Sequence, residues 1–182
     1  MDKIYQIDFA ILDFLQSIHS EWLNKIMQFF TALGDNGAVW IALTVILLII
    51  PKTRKIGFYV AVALIVETIF NEFMLKEIIQ RERPFIQNTA IDIIINPPSG
   101  YSFPSSHSAS SFAATTAIFL HNRKMGIPAF ILAFFIAFSR IYFAVHFTTD
   151  VLVGAIVGIL VAVLTNRLLK YCAKKRNSKL DT

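Results

Sequence analysis

Long apolar runs separated by short polar breaks dominate this chain. They predict five membrane-spanning helices, near residues 36–51, 56–76, 105–121, 127–144 and 147–169. A helix needs about 20 residues to cross roughly 30 Å of hydrocarbon, so the first and third runs are short by this measure. The pattern predicts an all-α fold, a polytopic membrane helical bundle with about five transmembrane helices, or six if the N-terminal region also crosses.

The first 33 residues follow a different pattern. Apolar residues recur there at steps of three and four, with polar residues between them: Ile4, Ile7, Ile11, Leu15, Ile18 and Trp22. Such a stripe is typical of an amphipathic helix that lies on the membrane surface or against a bundle. The sequence Gly34-Asp35-Asn36-Gly37 then supplies a helix stop and a new start. We therefore expect one domain, with an interfacial N-terminal helix over 1–33, a transmembrane core over 36–169 and a basic tail over 170–182.

Composition and charge support a membrane protein. The 182 residues are 55% hydrophobic and only 16% charged, whereas soluble domains average about 25% charged. The net charge of +5 does not indicate nucleic-acid binding, because the chain has no basic stripe interleaved with exposed aromatic residues. Basic residues in two connections, 52–55 and 123–124, share one side with the basic tail, and the positive-inside rule makes that side cytoplasmic. The single cysteine, Cys172, rules out an intrachain disulfide framework.

Four basic residues run against this bias, because they lie at the opposite ends of the predicted spans: Lys76, Arg81, Arg83 and Arg140. Ionisable groups at the edge of a membrane span are costly, and they usually mark a functional site. The position of these four cations therefore requires an explanation other than topology.

Three stretches of sequence reach that same side through hairpin connections. They are KEIIQRERP at 76–84, FPSSHS at 103–108 and SRIYFAVHFTTD at 139–150. Together they have the composition of a phosphate site, because three cations from separate elements can surround a doubly charged group: Lys76, Arg83 and Arg140. Guanidinium groups in particular match the geometry of phosphate oxygens.

Pro104 is expected in the first turn of the third span, which leaves the next backbone N–H groups free. Ser105 and Ser106 then offer amides and hydroxyls to an anion at a helix N-terminus. His146 and Asp150 are four residues apart and share a helical face. A carboxylate there can keep one imidazole nitrogen protonated and leave the other as a nucleophile toward phosphorus. His107, from a different helix, can protonate the leaving oxygen and later deprotonate water.

The same residues allow other interpretations. His107, His146 and Asp150 could bind zinc, but three cations beside them would repel a divalent metal, so neither a metal nor a cofactor is expected. Ser105 or Ser106 could be a hydrolase nucleophile, but the G-x-S-x-G motif is absent and the cations suit an acyl ester poorly. A phosphate-binding P-loop is also absent from the sequence.

The three stretches resemble the signature of the membrane-integrated type 2 phosphatidate phosphatase superfamily, also called lipid phosphate phosphatases. Lys76, Arg83 and Pro84 match the first motif of that family, Lys, six residues, Arg-Pro. The third motif, Ser-Arg, five residues, His, three residues, Asp, is matched in full by Ser139, Arg140, His146 and Asp150. The second motif, Pro-Ser-Gly-His, is matched at Pro104, Ser105 and His107, with Ser106 in place of the glycine.

The resemblance implies a metal-independent phosphatase with a phosphohistidine intermediate. By position, His146 corresponds to the nucleophile, Asp150 to its orienting partner and His107 to the general acid. The positions that correspond to phosphate binders are Lys76, Arg83, Ser105, Ser106 and Arg140. The expected substrate is a lipid phosphate or diphosphate held at the outer face of the cell membrane. Undecaprenyl (polyprenyl) diphosphate is the first choice, and phosphatidate or phosphatidylglycerol phosphate is the alternative.

Two hypotheses compete with this one. A non-catalytic lipid-phosphate binder or transporter would use the same cations but would not need His146. A vanadate-dependent haloperoxidase has a site resembling this one, but those enzymes are not small membrane bundles.

Three further predictions concern residues near the predicted site. Glu72 precedes Lys76 by one turn and is expected to pair with it. Glu67 lies nine residues before Lys76, on the opposite helical face, and is expected to form an interhelical contact or to be a protonated acid. The Ile-rich loop 85–103 is too apolar for a freely solvated connector, so it is expected to cap the site or touch the bilayer and to help choose the substrate.

Overall fold

The computed structural model describes residues 3–178 and the side chains of residues 3–176. The helices are α1 (Lys3–Ser17), α2 (Glu21–Gly34), α3 (Ala38–Ile49), α4 (Arg54–Phe70), α5 (Lys76–Ile79), α6 (Pro84–Gln87), α7 (Ser106–Phe119), α8 (Arg123–Tyr142) and α9 (Thr148–Ser178). A 3₁₀ turn, Asp35–Gly37, joins α2 to α3, and a π-helical turn, Asn71–Leu75, joins α4 to α5. The described residues form helices and no strand, so the predicted all-α membrane bundle is confirmed.

Four helical segments of the described chain are long and apolar enough to cross a membrane. They are Glu21–Ile49, Arg54–Gln87, Arg123–Tyr142 and Thr148–Arg176. The chain is therefore a multi-pass membrane protein. The predicted first span, 36–51, belongs to a longer apolar helical segment that begins at Glu21, because the Gly34–Gly37 sequence bends the helical run without separating its two parts. Asn36 and Gly37 make this bend with left-handed φ angles of 52° and 67°.

Helix α7, the predicted third span, has only 14 residues and lies at the centre of the bundle. It contacts α4, α8 and α9. Its buried positions are mostly small: Ser108, Ala109, Ser111, Ala113, Ala114, Thr115, Thr116 and Ala117. Small residues allow membrane helices to approach closely and pack without a hydrophobic driving force between them. The composition of α7 therefore explains how it can sit among three longer helices.

Two glycines of α9 let its backbone touch α7. A Cβ atom added to Gly158 would lie 2.2 Å from the carbonyl oxygen of Ala109, and one added to Gly154 would lie 2.6 Å from that of Ser105. Because Ser105 immediately precedes α7 and Asp150 lies in the first turn of α9, this close contact fixes two of the predicted motifs relative to each other.

Replacement of Gly158 by valine is expected to lower the free energy of unfolding by about 1–3 kcal/mol, because the added carbons overlap the α7 backbone. Leu160→Val provides a matched control, since Leu160 lies on the same helix and is 54% exposed. Thermal unfolding of the two variants and the wild type in the same detergent measures the difference. Equal midpoints for Gly158→Val and Leu160→Val would contradict the proposed backbone contact.

The N-terminal helix α1 lies against the bundle rather than apart from it. Leu12 and Leu15 are buried in a cluster that also contains Phe147 and Val151, while Phe14 on the other face is exposed. The predicted stripe does not form this buried face, because Leu15 is buried but Ile4, Ile7, Ile18 and Trp22 are exposed. The helix predicted over 1–33 is also divided, since α1 ends at Ser17 and α2 begins at Glu21. Residues 179–182 of the predicted basic tail lie outside the described residues.

Candidate active site

The three stretches identified in the sequence meet at one cavity of about 630 Å³. Five of the eight predicted site residues line it: Arg83, Ser106, His107, Arg140 and His146. The other three, Lys76, Ser105 and Asp150, are buried beside them and contact the lining residues or their helices. The structure thus brings together side chains that are up to 74 positions apart, from Lys76 to Asp150.

His146 is held with its two ring nitrogens in different surroundings. Its Nδ1 lies 3.6 Å from Oδ2 of Asp150 and 3.4 Å from the hydroxyl of Ser102, while its Nε2 lies 3.2 Å from Nη1 of Arg83. A guanidinium can only donate hydrogen bonds, so Nε2 carries the lone pair and Nδ1 carries the proton. This is the tautomer in which Nε2 can act as a nucleophile.

The surroundings of His146 also keep its ring neutral. Burial lowers the pKa of His146 to about 3, and the positive charges of Arg83 and Arg140 add to this effect, whereas Asp150 opposes it. His146 lies in the turn between α8 and α9, outside the segments that cross the membrane. An unprotonated nucleophile is therefore available throughout the neutral pH range.

Asp150 is fully buried and accepts hydrogen bonds from three directions. Its Oδ2 accepts from the hydroxyl of Ser102 and from the backbone N–H of Phe147, the latter at 2.9 Å. Its Oδ1 accepts from Nη1 of Arg81 at 2.5 Å. Neither Ser102 nor Arg81 is among the site residues predicted from the sequence. Arg81 could have been identified as one of the four cations at the span ends that run against the charge bias. Nothing in the sequence distinguishes Ser102.

The two site arginines are held differently. Arg83 donates to the backbone carbonyls of Ser99, Gly100 and Val145 at 2.9–3.0 Å. Its guanidinium therefore links the 85–103 loop to the residue that precedes His146. Arg140 donates to the hydroxyl of Thr31, and its Nε has no partner among the described residues. Arg140 is thus the guanidinium with more donor capacity left for an anion in the cavity.

Lys76, Glu72 and Ser106 form a connected group at one wall of the cavity. The Nζ of Lys76 lies 3.0 Å from both carboxylate oxygens of Glu72 and 2.5 Å from the hydroxyl of Ser106. The Ser106 hydroxyl donates to the same carboxylate. The predicted pairing of Glu72 with Lys76 is present, and it offsets part of the positive charge that the sequence suggested for this wall.

The start of α7 differs from the sequence-based expectation. The helix begins at Ser106, with Pro104 before it rather than in its first turn. The Ser105 amide donates to the Asp150 carbonyl at 3.1 Å, so the expectation that this amide is free for an anion is wrong. The Ser105 hydroxyl is buried and has no partner among the described residues. The amide hydrogen bond ties the start of α7 to α9, as the glycine contacts do.

His107 lines the cavity next to the turn between α2 and α3. Its Nε2 lies 3.0 Å from Oδ1 of Asp35, in the turn between α2 and α3. Gly34 leaves the room for this ring, because a Cβ added there would lie 2.5 Å from Cδ2 of His107. Sequence reasoning treated the 34–37 turn only as a helix boundary and missed the role of Asp35. The polar turn between two apolar runs could have indicated a functional role for Asp35.

The geometry does not favour the zinc site considered as an alternative. His107 contacts Asp35 rather than Asp150, and the carboxylate of Asp150 is occupied by Ser102, Arg81 and a backbone amide. Across the described residues, no three side chains of His, Cys, Asp or Glu are grouped as metal ligands.

Apolar residues of α3 and α4 also line the cavity: Ile41, Leu64, Ile65 and Ile69. Ile41, Ile65 and Ile69 are more than half exposed, so this apolar part of the lining is not enclosed by the protein. A ligand with a charged head and a hydrocarbon tail matches a cavity lined by both kinds of residue.

Glu67 also lines this cavity, although the sequence placed it on the opposite helical face from Lys76. The π-helical turn, Asn71–Leu75, lies between the two residues and breaks the 3.6-residue periodicity on which that expectation depended. The Oε1 atom of Glu67 has no partner among the described residues.

Comparison with known sequences gives a family match and two curated relatives. The family model described as the PAP2 superfamily matches residues 52–174. The chain is 31% identical over 102 residues to an undecaprenyl-diphosphatase of Sulfolobus acidocaldarius, covering 56% of this chain and 48% of that protein. It is 30% identical over 115 residues to undecaprenyl-diphosphatase BcrC of Bacillus subtilis, covering 63% of this chain and 58% of that protein. The chain thus spans about half the length of the curated relatives it matches.

Two solved structures share the fold over nearly the whole chain. A transmembrane PAP2-type phosphatidylglycerolphosphate phosphatase from Bacillus subtilis has a TM-score of 0.77 at 26% identity, covering 94% of this chain and 88% of that one. Aquifex aeolicus LpxE has a TM-score of 0.76 at 27% identity, covering 87% of this chain and 94% of that one. Both likenesses extend beyond the matched motifs to the arrangement of the helices.

Proposed function

The chain belongs to the PAP2 superfamily, since the family model matches more than half of it, and we propose that it hydrolyses the phosphate or diphosphate headgroup of a membrane lipid through a phosphohistidine. One observation carries the proposal. His146 presents an unprotonated Nε2 next to Arg83, with Asp150 near its other nitrogen, in a cavity that apolar residues of α3 and α4 also line. A binder or transporter of lipid phosphates has no need of this oriented imidazole.

The proposed reaction has two steps. Nε2 of His146 attacks phosphorus, the bond from phosphorus to the lipid-side oxygen breaks, and His107 gives a proton to that leaving oxygen. Water then attacks the phosphohistidine, His107 takes its proton, and inorganic phosphate and free His146 are formed. Arg83 and Arg140 stabilise the charge on the non-bridging oxygens in both steps. Asp150 stabilises the Nδ1 proton as the imidazole becomes positively charged.

Undecaprenyl or another polyprenyl diphosphate is the substrate we propose first. Both curated relatives are named for this activity, and the apolar wall of the cavity accommodates a hydrocarbon chain at the bilayer. A phosphatidate or phosphatidylglycerol phosphate substrate is the second candidate, supported by the phosphatidylglycerolphosphate phosphatase of the same fold. We also propose that the site faces the extracytoplasmic side and that the C-terminus is cytoplasmic, because the basic connections and tail lie at the other end of the helices.

Phosphate release from purified protein in mixed micelles tests this function. The assay compares a polyprenyl diphosphate, phosphatidate and phosphatidylglycerol phosphate, each with and without excess chelator. We expect the highest kcat/KM for the polyprenyl diphosphate and no effect of the chelator, because the site uses side-chain cations in place of a metal. Release from none of the lipids would contradict the enzyme proposal, and activity lost to chelator and restored by zinc would contradict the metal-independent mechanism.

A further inference from the structure

Arg81, one of the four cations that run against the charge bias of the sequence, has no part in the proposed reaction. Its Nη1 donates to Oδ1 of Asp150 at 2.5 Å and to the hydroxyl of Thr149 at 2.7 Å. Its guanidinium also lies over the ring of Phe147, 3.9 Å from the centroid, and over that of Tyr5, at 4.7 Å. Arg81 therefore contacts two aromatic rings as well as the residues that begin α9.

The Nη2 atom of Arg81 contacts the N-terminal helix. Its Nη2 donates to Oδ2 of Asp8 at 3.0 Å, and Asp8 is only 1% exposed. Asp8 also accepts from the backbone N–H of Thr149 at 3.0 Å and from the Thr149 hydroxyl at 2.6 Å. A carboxylate of α1 thus holds both Arg81 and the residue that precedes Asp150.

We propose that Arg81 and Asp8 are positioning residues for the Asp150–His146 pair, so that the N-terminal helix is part of the catalytic apparatus. The inference rests on the proposed phosphatase function. Arg81 acts through Asp150 and not on the substrate, because it binds Oδ1 while Ser102 and the Phe147 amide bind Oδ2, the oxygen nearest His146. Arg81 is also absent from the cavity lining.

The charges of this group explain why its loss should matter. Two buried carboxylates, Asp8 and Asp150, share one guanidinium. Removal of Arg81 leaves both carboxylates without a cation, and an isolated buried charge is strongly disfavoured. Asp150 can respond by turning toward solvent or by taking up a proton, and in either case it no longer orients the Nδ1 proton of His146.

Arg81→Gln is expected to lower kcat by about 10–100-fold, the usual range for a residue that orients a functional side chain without touching the substrate. The KM for lipid and the inhibition constant of inorganic phosphate should stay within roughly twofold, because Arg83 and Arg140 still bind the phosphate. Arg81→Lys keeps a cation near Asp150 and should recover part of kcat. Glu82→Gln, at an exposed neighbouring position, is the matched control and should behave as wild type.

Asp8→Asn tests the contribution of the N-terminal helix without removing Arg81. We expect a smaller fall in kcat, roughly tenfold, with KM again unchanged. Asp13→Asn is the control, because Asp13 is an exposed residue of the same helix. Equal kcat values for Asp8→Asn and Asp13→Asn would show that α1 has no part in catalysis.

A double-variant cycle separates positioning from general stabilisation of the fold. If Arg81 acts through Asp150, adding Arg81→Gln to Asp150→Asn should cause no further loss of kcat. Additive losses, or a rise in KM with kcat unchanged, would overturn the inference while wild-type hydrolysis still supports the proposed function. An inactive wild type would instead contradict the proposed function. If Arg81→Gln does not give monodisperse protein in detergent, Arg81→Lys and Asp8→Asn decide the matter by the same measurements.

Discussion

Replacement of His146 by glutamine is expected to lower the rate of lipid phosphate hydrolysis roughly 10⁴-fold or more, as loss of a nucleophile does in other covalent mechanisms. Glutamine can keep a hydrogen bond to Arg83, so the cavity retains its cations and its shape. The glutamine amide has no lone pair able to form a stable bond to phosphorus, so the covalent intermediate cannot form. Rapid quench of the wild type with ³²P-labelled substrate should trap an acid-labile, base-stable phosphoprotein that His146→Gln does not form.

The variant should still bind lipid phosphate with an affinity close to that of the wild type, because Arg83 and Arg140 remain. His121→Gln is a matched control, since His121 lies at the far end of α7, against Tyr59 and away from the cavity. It should retain both hydrolysis and phosphoprotein formation. Substantial hydrolysis by His146→Gln would instead favour a water nucleophile or a binding protein with a contaminating activity.

Much of the site could be predicted from sequence because its motifs sit at the ends of hydrophobic runs. An even number of crossings separates Lys76 from His107 and His107 from His146, so these residues are expected on the same side of the membrane. Asp150 lies near His146 as expected, but His146 is in the turn before α9 and not on a helical face shared with Asp150. The residues that hydrogen-bond to the site side chains and orient them follow no such spacing. Asp8, Asp35 and the Thr31 hydroxyl come from N-terminal segments that the sequence marked only as amphipathic or as a turn.

Local backbone geometry accounts for the other differences. The 3.6-residue period put Glu67 and Lys76 on opposite faces, and the π-helical turn between them changes that register. Pro104 was expected in the first helical turn, whereas Ser105 has an extended backbone, its amide is bound to the Asp150 carbonyl, and the helix starts at Ser106. Such contacts depend on the tertiary packing of α7 against α9, which a single sequence does not specify.

His107→Gln is expected to slow lipid phosphate hydrolysis by about 10²–10⁴-fold, the usual contribution of a general acid–base group. The loss should depend on the leaving group. An alkoxide departing from phosphatidate needs a proton, whereas the phosphate monoester leaving from a polyprenyl diphosphate is stable as an anion, so the deficit should be larger for phosphatidate. Steady-state rates with both lipids, compared with those of His121→Gln, give this ratio.

The same substitution should have the opposite effect from His146→Gln on the covalent intermediate. Breakdown of the phosphohistidine needs His107 to deprotonate water, so with a diphosphate substrate the phosphoprotein should accumulate above its wild-type level. Asp35→Asn, which leaves His107 without its carboxylate partner at 3.0 Å, should show a weaker form of both effects. Equal deficits on the two lipids together with less phosphoprotein than wild type would place His107 outside proton transfer, with a role confined to binding the headgroup.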